Sequence, residues 1–187
     1  MANYEGVDTI VLFEELAYED LLPLAWRSSA TPISDLAKRS FFERNVKMLQ
    51  ACTALEEHGQ PEKADERSPQ HADIVRLDMK INLLLDMVGK LMIASHPRPE
   101  AMSVRFNALG AVWQHKGTLP VINTFGVLEL FLRDSMVEPL RLTGRVASVT
   151  AEAKVQVKFD NCGEAVADLI EKLAFRRHRR QVAGARR

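Results

Sequence analysis

The side chains in this chain best suited to chemistry are arginines. Arg176 and Arg180 stand four apart within the run F-R-R-H-R-R, and a guanidinium presents forked donors that match a phosphate or carboxylate. Such a pair could take an anion at the end of a helix. The same residues also read as a solvated or intersubunit basic tail, because the dipole favours cations at a helix C-terminus. Cys162 and His178 supply the parts of a nucleophile and base, although a lone cysteine is more often a small buried hydrophobe. His58, His71, His96 and His115 are scattered, with no cysteine or carboxylate at a compelling metal-ligand spacing. The chain has no G-x-S-x-G, no phosphate-cradling glycine loop, no H-E-x-x-H and no dinucleotide fingerprint. The expectation is a protein that is not an enzyme and holds no metal.

Charge is distributed unevenly along a chain whose formal net charge is zero. Residues 1–25 contain Glu5, Asp8, Glu14, Glu15, Glu19 and Asp20 without a lysine or arginine, whereas residues 176–187 hold six arginines and no acid. The ends could attract one another within the fold or between subunits, or the basic end could meet an external anion. Nucleic acid is not expected, since the basic tail lacks interleaved aromatics. No apolar run is long enough to span a bilayer, and residues 1–6 do not resemble a signal peptide. Cys52 and Cys162 do not make a disulfide framework. A cytoplasmic protein is expected.

The elements that would position these residues fall into three parts. Residues 1–62 form an N-terminal segment with a helix. Its opening, Val7 to Leu24, suits strand and helix alike, and Thr31-Pro32 reads as a cap for a helix running to about His58, where Gly59 would stop it. Residues 63–96 follow, with Ser68-Pro69 starting a second helix that His96-Pro97-Arg98-Pro99 must end. In residues 97–187 the period changes to two: Met102, Val104 and Phe106 alternate with polar neighbours, as do Val155, Val157 and Phe159. Five or six short strands there predict a small antiparallel barrel, closed by a helix over about 164–175.

Within the second helix, Ile74, Leu77, Ile81, Leu84, Val88 and Leu91 follow the 3, 4, 3, 4, 3 spacing of a coiled-coil seam. Its a positions are all β-branched and its d positions all leucine. The seam predicts a homo-oligomer; Leu85, Met87 and Met92 widen the apolar face beyond what two strands bury, so that either the further helices of a tetramer, the expected state, or the chain's own barrel and first helix must cover it.

The order S-V-R-F-N-A-L-G-A-V-W, V-L-E-L-F-L, P-L-R-L-T-G-R-V and V-Q-V-K-F-D resembles the PilZ domain, a bacterial barrel that senses cyclic di-GMP. With F-E-E-L-A, L-P-L-A-W, the seam and F-R-R-H-R-R added, the whole chain is similar to the atypical, tetramerising branch of that family. The resemblance implies an α+β fold: a PilZ-like antiparallel β-barrel with a long coiled-coil helix and flanking helices. It also implies a cyclic di-GMP signalling protein that acts through other signalling proteins.

Members that bind the dinucleotide well carry R-x-x-x-R ahead of the barrel and D/N-x-S-x-x-G on an early strand. In this chain Gly110 fits the glycine, which puts Asn107 at the serine position and Arg105 at the acid position. Arg98 stands ahead of the barrel, but Met102 is four residues on. The candidate ligand residues are therefore Arg98, Asn107 and Gly110, with Arg176 and Arg180 as a displaced pair. Two lost charge-assisted hydrogen bonds, at about 1.5 to 3 kcal/mol each, predict nucleotide binding that is weak, altered or lost. The alternative is a coiled-coil scaffold with no nucleotide ligand.

Overall fold

The period-two stretches become strands, and one strand comes from where the sequence left strand and helix open. A computed structural model describes residues 11–13, 15–57, 69–95, 97–134 and 136–185. In chain order the elements are β1 (Val11–Leu12), β2 (Glu15–Leu16), β3 (Tyr18–Ser29), α1 (Asp35–Glu57), α2 (Pro69–Ser95), β4 (Ala101–Phe106) and β5 (Gly110–Gln114). Then come β6 (Phe125–Leu130), β7 (Leu140–Val149), β8 (Lys154–Phe159) and α3 (Glu164–Ala185). Six strands close an antiparallel barrel in the order β3-β4-β5-β8-β7-β6, and the fold is α+β.

The barrel is not confined to residues 97–187. Its first strand is β3, whose Tyr18–Pro23 half pairs with β4 and whose Leu24–Ser29 half pairs with β6. Alternation along the strands turns Leu22, Leu24, Val104, Phe106, Trp113, Leu128, Leu130, Leu142, Val155 and Val157 into one buried core. Trp113 lies 6.2 Å from Trp26, centroid to centroid, and its indole N–H donates to His115 Nδ1 at 3.2 Å. Gly126 makes room for Trp26, because a Cβ there would collide with the indole. A register shift between Val146 and Ser148 on β7 gives the local twist that helps a small barrel close.

Helix α1 starts later than the Thr31-Pro32 signal predicts. The Ser34 hydroxyl accepts the Ala37 N–H at 3.3 Å and so caps the helix, while Thr31 is held in a local turn with its carbonyl accepting from Ser29 Oγ at 2.7 Å. The expected stop at Gly59, the linker 59–67 and the cap at Ser68 lie outside the described residues. Helix α3 runs ten residues beyond the expected end near 175, to Ala185, because nothing between Phe175 and Arg180 breaks a helix. Its Val166, Ile170, Leu173 and Ala174 belong to the barrel core.

The oppositely charged ends meet within the fold. Arg177 on α3 donates to the Tyr18 hydroxyl at 3.0 Å and to the Leu132 carbonyl at 2.9 Å, and lies 3.6 Å from Asp20. Tyr18 donates in turn to the Asp20 carboxylate. Burial, reinforced by that hydrogen bond and opposed by Arg177, pushes the Tyr18 phenol up to about 12 from 10.0. A raised folded-state value means stability present in full below pH 10 and lost as pH rises toward 12. Urea unfolding followed from pH 9 to 12 should therefore show a falling midpoint, with a smaller fall in Tyr18→Phe.

Candidate functional site

The structure separates the residues that the sequence groups as ligand contacts. Arg98 precedes β4 and the Asn107–Gly110 turn follows it, so they sit at opposite ends of a strand of 6 residues, about 20 Å long. Arg98 donates to the carbonyls of Arg133 at 3.0 Å, Asp134 at 3.2 Å and Met136, stacks on Phe131 at 5.1 Å, and is only 9% exposed. It ties the segment after β6 to the base of α2. Arg177 holds the adjoining Leu132 carbonyl, so two arginines fix one stretch of backbone.

Asn107 is buried and engaged on both sides of its carboxamide. Its oxygen accepts the N–H groups of Leu109 at 2.9 Å and Gly110 at 3.0 Å, which shapes the β4–β5 turn. Its Nδ2 donates to the Leu12 carbonyl at 2.7 Å. Gly110 is covered from outside by the Phe13 ring, and a Cβ at Gly110 would collide with that ring and with the Val157 carbonyl. Phe13 was missed at the sequence level, since the mixed pattern from Val7 to Leu24 carries no signal for a ring that docks on a distant turn.

Arg105, at the position where an acid is expected, lies half-exposed 3.5 Å from Glu19. Arg176 and Arg180 fall on α3 as placed by their spacing; the Arg180 side chain lies outside the described residues. It is their neighbour Arg177 that anchors the helix, and only the register of α3 on β3 reveals this.

The other chemical candidates are structural. The Cys162 thiol donates to the Ala108 carbonyl at 3.7 Å, and burial pushes its pKa up, away from the nucleophilic thiolate. His115 has Nδ1 against Trp113 and Nε2 3.0 Å from the Thr118 carbonyl. A cavity of about 320 Å³ opens between α1, β7 and the β8–α3 turn, lined by Lys38, Arg39 and Arg141, of which Lys38 pairs with Asp160 at 2.8 Å and Arg141 with Glu129 at 3.1 Å. Among the described residues no cluster of His, Cys, Asp or Glu could hold a metal ion, and no helix is long and apolar enough to cross a membrane.

The most conspicuous unfilled surface is α2. Ile74, Leu77, Ile81, Leu84, Val88 and Leu91 are 50% to 71% exposed, and Val75, Met79, Leu83, Leu85, Met87 and Met92 are exposed beside them. No other element packs extensively on this helix among the described residues.

The model of the atypical PilZ domain, cyclic di-GMP receptor, matches residues 49–187. The chain belongs to the atypical PilZ family. Among solved structures, a pathogenic protein from Xanthomonas campestris, described as a tetrameric PilZ domain self-assembled via an unusual helical bundle, is similar in fold. The two share 24% identity and a TM-score of 0.71 over 92% of this chain and 93% of that one. No curated protein matches the chain in sequence.

In this PilZ chain the two barrel-proximal arginines should respond differently to truncation. Arg98→Ala leaves the partly buried carbonyls of Arg133 and Met136 without this donor and should lower stability by about 1 to 3 kcal/mol in urea unfolding. Arg105→Ala removes one half-exposed ion pair and should change it by less than about 1 kcal/mol.

Proposed function

We propose that this chain is a non-enzymatic cytoplasmic signalling protein of the PilZ type, assembled through α2 and acting through partner proteins, with its response to cyclic di-GMP weakened, altered or lost. The observation that carries the reading is the exposed seam on α2. Fully burying a side chain of this kind contributes about 1.5 to 3 kcal/mol, so covering six half-exposed ones is worth several kcal/mol per helix. That gain favours association of copies of this chain, and the widened face at Leu85, Met87 and Met92 suits four helices better than two. The tetramer and helical bundle described for the Xanthomonas campestris protein support the same arrangement.

The nucleotide part of the reading rests on the family, whose members are described as cyclic di-GMP receptors. Against strong binding stand the changed motif positions and the engagement of Arg98 and Asn107 with backbone groups. Those engagements favour the second reading, a scaffold that displays its barrels to partners and binds no nucleotide. Arg176 and Arg180, adjacent on one face of α3 by spacing, are the proposed replacement for the missing arginine pair.

Two measurements test the reading. Leu84→Asp should reduce the mass seen by sedimentation to that of a smaller species while the barrel stays folded; retention of the wild-type mass would overturn assembly through the seam. In a calorimetric titration with cyclic di-GMP, the double substitution Arg176→Ala with Arg180→Ala should remove whatever binding the wild type has, and binding that survives unchanged would assign the ligand elsewhere.

A further inference from the structure

We propose that the cavity between α1, β7 and the β8–α3 turn is a binding site for a small organic oxyanion, a phosphate or carboxylate carried on one flat apolar ring. It shares no residue with the α2 seam or with the residues weighed above as cyclic di-GMP contacts.

Charge selects an anion. Lys38, Arg39 and Arg141 line the cavity, and among the described residues no acid does. Asp160 holds Lys38 at 2.8 Å and Glu129 holds Arg141 at 3.1 Å, yet donors are left over. Glu129 meets Arg141 through Nε, and the terminal nitrogens of that guanidinium have no partner among the described residues. Arg39 is exposed, and its side chain has no ion pair or hydrogen bond among the described residues. A guanidinium fork with two further cations around one hollow suits an oxyanion.

Shape selects a ring. Lys38, Phe42 and Asn45 recur at i, i+4 and i+7, so they share one face of α1. The Phe42 ring lies against Gly163, where φ is +84° and a Cβ would stand 2.7 Å from the ring; with Phe41 and Leu142 it gives the cavity an apolar side. Asn45, only 4% exposed, donates from Nδ2 to the Arg141 carbonyl at 2.7 Å and accepts the Arg141 N–H at 3.0 Å. Those two bonds tie the Arg141 backbone to α1, so its guanidinium is presented from a fixed strand. A volume of about 320 Å³ is near the lower end of ligand sites, enough for one ring with its charged group and too little for a dinucleotide. A neutral ring would gain nothing from the cations, and a bare inorganic ion would leave the aromatic side wet.

The test titrates the full chain calorimetrically with phenyl phosphate and with benzoate, using inorganic phosphate as the control without a ring. At least one organic probe should bind with a dissociation constant of about 1 mM or below and about tenfold more tightly than inorganic phosphate. The better of the two names the charged group. Arg39→Glu should weaken that binding about tenfold or more. Arg44→Glu makes the same charge change on α1 outside the cavity and, at about 0.15 M salt, should leave the affinity within about twofold. Equal weakening by the two substitutions would overturn the site in favour of unspecific charge. Equal affinity for inorganic phosphate would leave an adventitious ion only and overturn the ring seat. No saturable binding of either organic probe would overturn the proposal as a whole.

Discussion

The fold depends on the double pairing of β3. A single strand of 12 residues hydrogen-bonds β4 with its first half and β6 with its second, and without it the remaining five strands form an open sheet with two free edges. Pro23 stands where the strand changes neighbours, and there its carbonyl accepts the Phe131 N–H at 3.0 Å while its missing donor is no loss. Closure by this strand places Trp26 against Trp113 inside and brings Tyr18 and Asp20 to the arginine of the last helix.

Around that barrel, buried charge is used for position. Glu129, almost fully buried on β6, accepts from Arg27 at 2.7 Å and Arg141 at 3.1 Å on the two flanking strands, while Asn45 of α1 donates to the Arg141 carbonyl at 2.7 Å. Arg98 and Arg177 do similar work on the backbone carbonyls of Leu132, Arg133, Asp134 and Met136. A guanidinium suits this task because its planar donors reach several carbonyls at once, and breaking such a set leaves desolvated acceptors unpaired. The arginines most visible as anion binders in the sequence are in part the ones that hold the fold together.

Much of the architecture was legible in the sequence. Strands β4 and β8 agree with the alternating stretches at Met102–Phe106 and Val155–Phe159, because a half-buried strand must alternate apolar and polar side chains. Strand β3 was not legible, since α3 packs on part of it and its Tyr18–Pro23 and Leu24–Ser29 halves pair with different strands, which blurs the alternation. The start of α1 was misplaced by three or so residues because two cap signals, Thr31 and Ser34, compete and only local hydrogen bonds choose between them.

The candidate site divides along the same line. Residue types and spacing by themselves determined the alternation of β4 and β8, the 3, 4, 3, 4, 3 apolar spacing on α2, the glycine at 110 and the clustering of arginine at one end, for these follow from local geometry. Only the tertiary structure decided that Arg98 is enclosed by backbone carbonyls, that Arg177 rather than Arg176 docks on Tyr18, and that Phe13 lies over Gly110. Each of those outcomes joins residues far apart in the chain, and such contacts are set by barrel closure and register rather than by any spacing that a sequence displays.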